Sequence, residues 1–218
     1  MSGLLVASVN ADSEALRSIV ERGTRVVLLN EDPSSVSPFA VSFNHALGAE
    51  RVARYLVGHG HRRIAFINGP HAVPWCLSRS VGFRRGIVAE GLDPDSAVVE
   101  LPISAMTAQV AEPAVERLLA LEDRPTAVFC VNDMVAVGVL KQLAARSIQV
   151  PDQLSVVGFD DSYFSSLVSP GLTTVRQQSY ELGKRAAEML MDPVTDTSPS
   201  FFTFEPELVE RESVRFLE

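Results

Sequence analysis

Short apolar runs alternate with amphipathic stretches along almost the whole sequence. The apolar runs are rich in β-branched residues and continuous, which is typical of strands that are covered on both faces. They predict strands at Gly3–Val9, Arg25–Leu29, Arg63–Asn68, Ala97–Leu101, Thr126–Val131, Leu154–Phe159 and Thr173–Arg176. The stretches between them, with apolar positions three and four residues apart, predict helices at Asp12–Arg22, Ala46–Val57, Ser80–Glu90, Ala108–Leu121, Asp133–Arg146 and Tyr180–Met191.

Strands that alternate with helices at this spacing form parallel sheets with right-handed crossovers, so the pattern predicts a doubly wound α/β protein. Only two strands precede the Ser- and Pro-rich segment Asn30–Phe43. Two strands make a small sheet, since open sheets usually contain about four to six. A first lobe is therefore expected to be incomplete. The chain ends in a predicted extended segment, Phe201–Val214.

The net charge of the chain argues against direct binding to DNA. The chain has 218 residues and a formal net charge of −8. Proteins that bind DNA directly are usually basic, because neutralising phosphates supplies much of the affinity. No apolar run reaches the roughly 18 residues needed to span a membrane, and the first twelve residues do not resemble a signal peptide. The expected location is the cytoplasm, where Cys76 and Cys130 are expected to be free thiols rather than a disulfide.

Polar side chains follow several of the predicted strands. In open α/β sheets, ligands bind beyond the carboxyl ends of the strands. Arg79 offers a fork of donors, Asp160 and Asp161 offer acceptors, and Trp75 offers a flat apolar face. Together these groups suit a neutral polyol or a purine-like molecule.

Each of these residues also has a purely structural interpretation. Asn132 follows a strand and can equally be the N-cap of the next helix, and one of the two aspartates can serve a turn. Arg79 can be a surface charge and Trp75 a packing residue. The convergence of these residues on one edge of a sheet favours a binding site more than any one of them does.

Motifs of enzymes and metal sites are not found. The sequence contains no Gly-rich nucleotide loop after a strand, no P-loop and no GxSxG nucleophile turn. His59 and His61 are one residue apart, but no Cys or carboxylate follows at a ligand spacing. A basic, exposed turn is the favoured interpretation of this pair, and no metal or cofactor is expected.

Several segments together resemble the LacI/GalR family of transcriptional regulators in their effector-binding core. These segments are HGHRRIAFINGP, Arg79 with Gly82 and Phe83, PTAVFCVNDMVAVGVL, VPDQLSVVGFDD, SPGLTTVRQ and PELVERESV, in the order and approximate spacing of the family. The resemblance implies a periplasmic-binding-protein-like fold: two doubly wound parallel-sheet lobes, here with a truncated N-terminal lobe. It places residues 1–41 and 177–192 in the N-terminal lobe, and residues 42–176 and 201–214 in the C-terminal lobe.

The resemblance also implies roles for individual residues, with the ligand in the cleft between the lobes. Arg79 and Asp160 match ligand-binding positions of the family, Asn132 and Asn30 match polar residues that follow strands, and Gln177 matches a cleft residue at a crossover. His71 and Trp75 occupy variable positions that can set ligand identity. Ile103 stands where relatives often have an aromatic residue, which argues against stacking there.

As a regulator core, the chain is expected to bind a sugar, a sugar phosphate or a purine, and to form a homodimer in which Tyr163 and Leu167 contribute to the interface. Operator DNA would be bound only through a head domain that this sequence does not include. The sequence begins near the family's third strand, which suggests a fragment, a start assigned too late or a truncated paralogue. The alternatives are a solute-binding protein of a sugar transporter and, less favoured, an α/β enzyme on the same fold.

Overall fold

The structure, a computed structural model, describes residues 3–7, 14–30, 37–191 and 200–218. Its strands are β1 (Gly3–Val6), β2 (Arg25–Leu29), β3 (Phe39–Phe43), β4 (Ile64–Asn68), β5 (Val98–Pro102), β6 (Ala127–Cys130), β7 (Ser155–Val157), β8 (Thr174–Arg176), β9 (Ser200–Phe204) and β10 (Glu207–Val209). Its α-helices are α1 (Glu14–Glu21), α2 (His45–Gly58), α3 (Pro74–Ala89), α4 (Pro94–Ala97), α5 (Ala111–Leu119), α6 (Asp133–Ala145) and α7 (Ser179–Met191). Within the described residues, no helix combines the length and the apolar character needed to cross a bilayer.

The chain divides into two compact units. The first comprises Met1–Asn44 with Gln177–Pro206, and the second comprises His45–Arg176 with Glu207–Glu218. Residues 201–206, which the sequence assigned to the C-terminal lobe, belong to the first unit because β9 pairs with β3 from Phe39↔Ser200 to Phe43↔Phe204. Residues 42–44 also belong to the first unit, because β3 continues to Phe43.

The sheet of the first unit contains a strand that the sequence pattern did not predict. Its described strands lie in the order β1-β2-β3-β9, and all neighbours are parallel. Strand β3 lies at the end of the Asn30–Phe43 segment, where Ala40 and Val41 are completely buried. The Ser and Pro residues that precede β3 had masked this short apolar run. The two strands counted before this segment are present, but β3 and β9 extend the described sheet to four strands, so the sheet is larger than that count suggested.

The second unit has a parallel sheet in the order β5-β4-β6-β7. Strands β4 and β6 are buried along their whole length. At the centre of the core, the ring centroids of Phe66 and Phe129 lie 4.5 Å apart, and the ring of Phe83 from α3 lies 5.2 Å from that of Phe129. A separate antiparallel pair, β8 with β10, completes this unit. The predicted doubly wound α/β class is confirmed.

Helix α3 begins earlier than the sequence pattern predicted. The expected start was Ser80, whereas the helix starts at Pro74. Proline is well tolerated at the first helical position, because it has no N–H to leave unpaired and its φ angle suits a helix. The earlier start places Trp75 and Arg79 on the first two turns of the helix rather than in a loop.

Helices α2 and α3 pack with almost no space between their backbones at two glycines of α3. A Cβ atom at Gly82 would collide with the carbonyl oxygen of Ala46, and one at Gly86 would lie 2.6 Å from the carbonyl oxygen of Glu50. Backbone atoms cannot move aside as a flexible side chain can. The residues of α3 that follow Arg79 are therefore fixed against α2.

We expect Gly82→Ala to lower the free energy of unfolding by about 1–3 kcal/mol, because the added methyl group overpacks this contact. Gly183→Ala in α7 is the matched control, since a Cβ there would meet no atom within 4 Å. That substitution should stabilise by up to about 1 kcal/mol through helix propensity. Denaturant unfolding monitored by circular dichroism measures both, and equal effects would contradict the close packing.

Candidate ligand-binding site of the second unit

Arg79 lies on the buried face of α3, although it is charged. Cys76 and Phe83, three and four residues away on that face, are also buried. Arg79 itself is only 2% exposed. A buried charge is costly unless nearby groups replace its hydration, so its surroundings define the site.

Three kinds of group surround the Arg79 guanidinium. Its Nη1 donates to the carbonyl oxygen of Val131, just beyond β6. Its Nη2 donates to Nδ1 of His45 at 3.3 Å. The guanidinium carbon lies 3.7 Å from the ring centroid of Phe159 and 4.7 Å from that of Trp75. These aromatic faces attract the cation and so offset part of its lost hydration.

His45 is the first residue of α2 and is 7% exposed. Because Arg79 donates to Nδ1, the imidazole must carry its proton on Nε2 and must be neutral. Burial, and then the positive charge of Arg79, hold the pKa of His45 well below its usual value of 6.5. His45 therefore accepts a hydrogen bond from Arg79 without adding a second positive charge.

Asp160 is the acidic group that lies beside the Arg79 guanidinium. It follows β7 with a φ of 123°, and its N–H donates to the carbonyl oxygen of Val175 at 2.8 Å. One carboxylate oxygen lies 3.9 Å from Nη2 of Arg79, an ion-pair distance that is too long for a hydrogen bond. The side chain is 38% exposed. Desolvation raises the pKa of Asp160 to about 7, with a further contribution from Asp133, while Arg79 opposes the rise.

The backbone at Asp160 is held in place by two other aspartates. Asp133 accepts hydrogen bonds from the N–H of Ser162 at 2.7 Å and from the hydroxyls of Ser165 and Thr174 at 2.6 Å each. Burial raises the pKa of Asp133, and these hydrogen bonds oppose that rise.

Asp161 accepts hydrogen bonds from Arg176 at 2.7 Å and from Arg211 at 2.6 Å. Of the two neighbouring aspartates, Asp161 therefore has a structural role, and Asp160 lies beside Arg79.

The structure thus brings three of the predicted site residues together: Arg79, Asp160 and Trp75. Asn132 is the N-cap of α6. Its Oδ1 accepts from the N–H of Val135 at 2.9 Å, and its Nδ2 donates to the carbonyl oxygen of Met106 at 3.2 Å. His71 is half-exposed and directs Nε2 to the Glu100 carboxylate at 2.7 Å.

Two further predicted residues belong to the first unit. Asn30 follows β2 with a φ of 59°, and its N–H donates to the carbonyl oxygen of Val41 at 2.9 Å. The carbonyl oxygen of Gln177 accepts from the N–H of Ser179 at 2.8 Å, just before α7.

Tyr163 and Leu167, predicted for a dimer interface, lie in and after a 3-10 turn of the second unit. Their residues are 84% and 64% exposed.

The two histidines after α2 differ in burial from the exposed turn that the sequence predicted. His61 was expected on an exposed turn, but it is fully buried, and its Nδ1 lies 2.8 Å from the hydroxyl of Thr126. His59 directs its Nδ1 to the carbonyl oxygen of Tyr55 at 2.8 Å. The exposed-turn interpretation fails for His61 because the C-terminal segment packs against this turn, where the N–H of Leu217 donates to the carbonyl oxygen of His59 at 2.8 Å. Cys76 and Cys130 are free and buried, as expected.

Sequence reasoning missed His45 and Phe159, both of which contact Arg79. Each left a signal in the pattern. His45 lies on the same helical stripe as Ala49, Val52 and Leu56, a position from which a buried imidazole could have been predicted. Phe159 immediately precedes Asp160 at the end of a predicted strand. Nothing local indicated that the Val131 carbonyl oxygen would accept from Arg79.

The chain is similar to known proteins along most of its length. A family model described as a periplasmic binding protein-like domain matches residues 53–214. An HTH-type transcriptional repressor, PurR, of Vibrio atlanticus (strain LGP32) is 31% identical over 222 residues, which cover 100% of this chain and 65% of that protein. The chain therefore spans just under two thirds of the length of this relative.

Solved structures show the same fold. A LacI family transcriptional regulator from Enterococcus faecium with bound ribose has a TM-score of 0.90 at 22% identity, covering 100% of this chain and 81% of that chain. The transcriptional regulator CelR in complex with cellobiose has a TM-score of 0.84 at 28% identity, covering 98% of this chain and 66% of that chain. The periplasmic-binding-protein-like fold expected from the sequence is confirmed.

The raised pKa of Asp160 predicts a pH-dependent difference between the protein and its Asp160→Asn variant. From about pH 4 to about pH 7 the folded protein keeps a proton that the unfolded chain releases, so the contribution of Asp160 to stability falls as the pH rises through this window. Asparagine does not titrate. The stability of Asp160→Asn relative to the unsubstituted protein should therefore rise across the same window.

Urea unfolding of both proteins at several pH values measures this difference. A difference in unfolding free energy that stays constant with pH would contradict the assignment.

Proposed function

The chain belongs to the family of periplasmic binding protein-like domains, as the effector-binding domain of a LacI-type regulator, and from this premise we propose that Arg79 and Asp160 bind a neutral, polyhydroxylated effector. The observation that carries the proposal is the placement of a donor fork and a carboxylate side by side, 3.9 Å apart. Sugar hydroxyls both donate and accept hydrogen bonds, so they suit a site that offers both functions.

The charge balance favours a neutral sugar over a sugar phosphate. The Arg79 guanidinium already lies beside the Asp160 carboxylate, and the Asp133 carboxyl also raises the pKa of Asp160 electrostatically. A phosphate group would bring further negative charge close to these carboxylates, where like charges repel.

The aromatic groups favour a sugar over a purine. A purine is usually held between flat apolar faces, but the guanidinium of Arg79 already lies over the rings of both Trp75 and Phe159. The apolar edge of a sugar ring needs less flat surface.

The regulator is also better supported than the alternative of a transporter's solute-binding protein. The relatives described above are named as transcriptional regulators. In the intact protein, effector binding would then change DNA binding, provided that the effector prefers one conformation of the domain over another.

Thermal melts with a panel of compounds test the ligand class: ribose, cellobiose, ribose 5-phosphate and adenine. A neutral sugar at about 100 times its dissociation constant should stabilise the protein by about 2.7 kcal/mol. Arg79→Lys, which removes the fork, and Asp160→Asn, which removes the carboxylate, should reduce the shift. Glu122→Gln, an exposed loop substitution, is the control and should retain it.

Stabilisation by ribose 5-phosphate alone would contradict the charge argument. An equal shift in all variants would place binding elsewhere. Asn30→Ala and Gln177→Ala, tested alongside, would show whether the first unit contributes to binding, as the family resemblance predicts.

We propose that the second unit also forms the homodimer contact. Tyr163, Leu167 and Met134 are 84%, 64% and 43% exposed. They lie on two adjoining segments, because the carboxylate of Asp133, next to Met134 in the chain, accepts a hydrogen bond from the hydroxyl of Ser165 in the turn that contains Tyr163. A cluster of exposed apolar side chains of this kind is typical of interaction surfaces.

Replacing both Tyr163 and Leu167 with alanine should raise the dimer dissociation constant at least about tenfold, because large buried anchors carry most of an interface's energy. Sedimentation velocity over a range of protein concentrations measures this constant. Tyr180→Ala is the matched control, since Tyr180 is similarly exposed, at 80%, but lies in the first unit. An unchanged constant in the double variant would rule out this surface.

A further inference from the structure

The carboxylate of Glu100 accepts hydrogen bonds from three side chains near the ligand site. Glu100 lies on β5, at the edge of the second unit's sheet, and its side chain is 19% exposed. Its Oε1 accepts from Asn68 Nδ2 at 2.8 Å and from His71 Nε2 at 2.7 Å, and its Oε2 accepts from the Ser80 hydroxyl at 2.9 Å. One side chain thus receives three short hydrogen bonds.

The three donors lie on successive parts of the chain, from the end of β4 to the second turn of α3, which also carries Arg79. Asn68 is the last residue of β4, His71 lies in the loop that follows, and Ser80 is next to Arg79 on α3. Asn68 Nδ2 also donates to the carbonyl oxygen of Cys76 at 3.2 Å, on the first turn of α3 beside Trp75. Glu100 therefore connects the sheet edge to the segment that carries both Trp75 and Arg79.

The N-terminus of α3 has no side-chain cap. Its N-cap residue is Val73, whose side chain makes no capping hydrogen bond, and Pro74 follows at the first helical position. Helices usually gain stability from a polar N-cap side chain. Here the Glu100 carboxylate on the neighbouring strand accepts from His71 in the loop and from Ser80 in the second turn, and Asn68 donates to the Cys76 carbonyl oxygen of the first turn.

The chemistry of the group fits such a role. Burial alone would raise the pKa of Glu100, but the hydrogen bonds from Asn68, His71 and Ser80 outweigh it and leave the pKa below its usual value. Glu100 is thus an ionised acceptor at neutral pH. Its loss would leave the buried side chains of Asn68 and Ser80 short of an acceptor, which is costly.

We propose that Glu100 is a positioning residue for the ligand site: it fixes the loop after β4 and the first turns of α3, and so sets the places of Trp75 and Arg79. His71 is then a tether of this loop to Glu100 and does not contact the ligand. The ligand-binding part of this inference rests on the proposed function, whereas the positioning part can be measured without any ligand.

Trp75 supplies a measurement that needs no ligand, because it is the only tryptophan in the sequence. Its fluorescence emission and its quenching by acrylamide report on the start of α3. Glu100→Ala should shift the emission to longer wavelength and increase quenching. Glu100→Gln, which keeps one carbonyl acceptor, should restore most of the original signal. Glu122→Ala is the matched control and should leave the signal unchanged.

Substitutions at His71 separate a tether from a ligand contact. His71→Gln keeps a donor for Glu100, so both the Trp75 signal and sugar affinity should stay as in the unsubstituted protein. His71→Ala should change both. With ribose or cellobiose as the probe, whichever binds, Glu100→Ala should raise the dissociation constant about tenfold, the size of effect seen when residues that orient metal ligands are removed.

An unchanged Trp75 signal in folded Glu100→Ala protein would overturn the proposal. If that variant does not fold, Ser80→Ala removes only one of the three hydrogen bonds and should increase Trp75 quenching in the same direction, and an unchanged signal would again overturn it. Loss of sugar affinity in His71→Gln with an unchanged Trp75 signal would make His71 a ligand contact. If no compound binds, the proposed function fails, while the fluorescence results still decide the role of Glu100.

Discussion

The burial of the Arg79 charge is the constraint on which the second unit's ligand site depends. A guanidinium taken out of water needs acceptors and polarisable surfaces in fixed places. The Val131 carbonyl oxygen, the neutral imidazole of His45 and the rings of Trp75 and Phe159 supply them. These groups belong to four different segments, so the requirements of one side chain hold the ends of β6 and β7 and the starts of α2 and α3 together.

The three aspartates of this region carry the same functional group but have different structural roles. Asp133 is completely buried and accepts three hydrogen bonds from the segment that follows β7 and from β8. Asp161 holds two arginines. These two hold the residues that follow Asp160, whereas Asp160 is 38% exposed and lies 3.9 Å from Arg79. Asp133 and Asp161 thus support the backbone, and Asp160 is the carboxylate beside Arg79.

Most of the fold could be predicted from the sequence, because continuous apolar runs and amphipathic stretches are local properties. Strand β3 was missed because Ser and Pro residues precede a run of only five residues, and the start of α3 was missed because Pro74 resembles a loop residue. Arg79, Asp160 and Trp75 could be proposed from their places after strands. The partners of Arg79 could not be predicted, since His45 and Val131 lie 34 and 52 residues away along the chain.

The pairing of β3 with β9 has a consequence for how the protein is made. Residues 39–43 leave the ribosome long before residues 200–204, yet they are neighbours in one sheet. Contacts between such distant segments form slowly, because a long loop must first close. During synthesis the early strands of the first unit must therefore wait, with one edge of β3 uncovered, while most of the second unit emerges. In that interval the uncovered edge presents unpaired N–H and C=O groups that can pair with another chain.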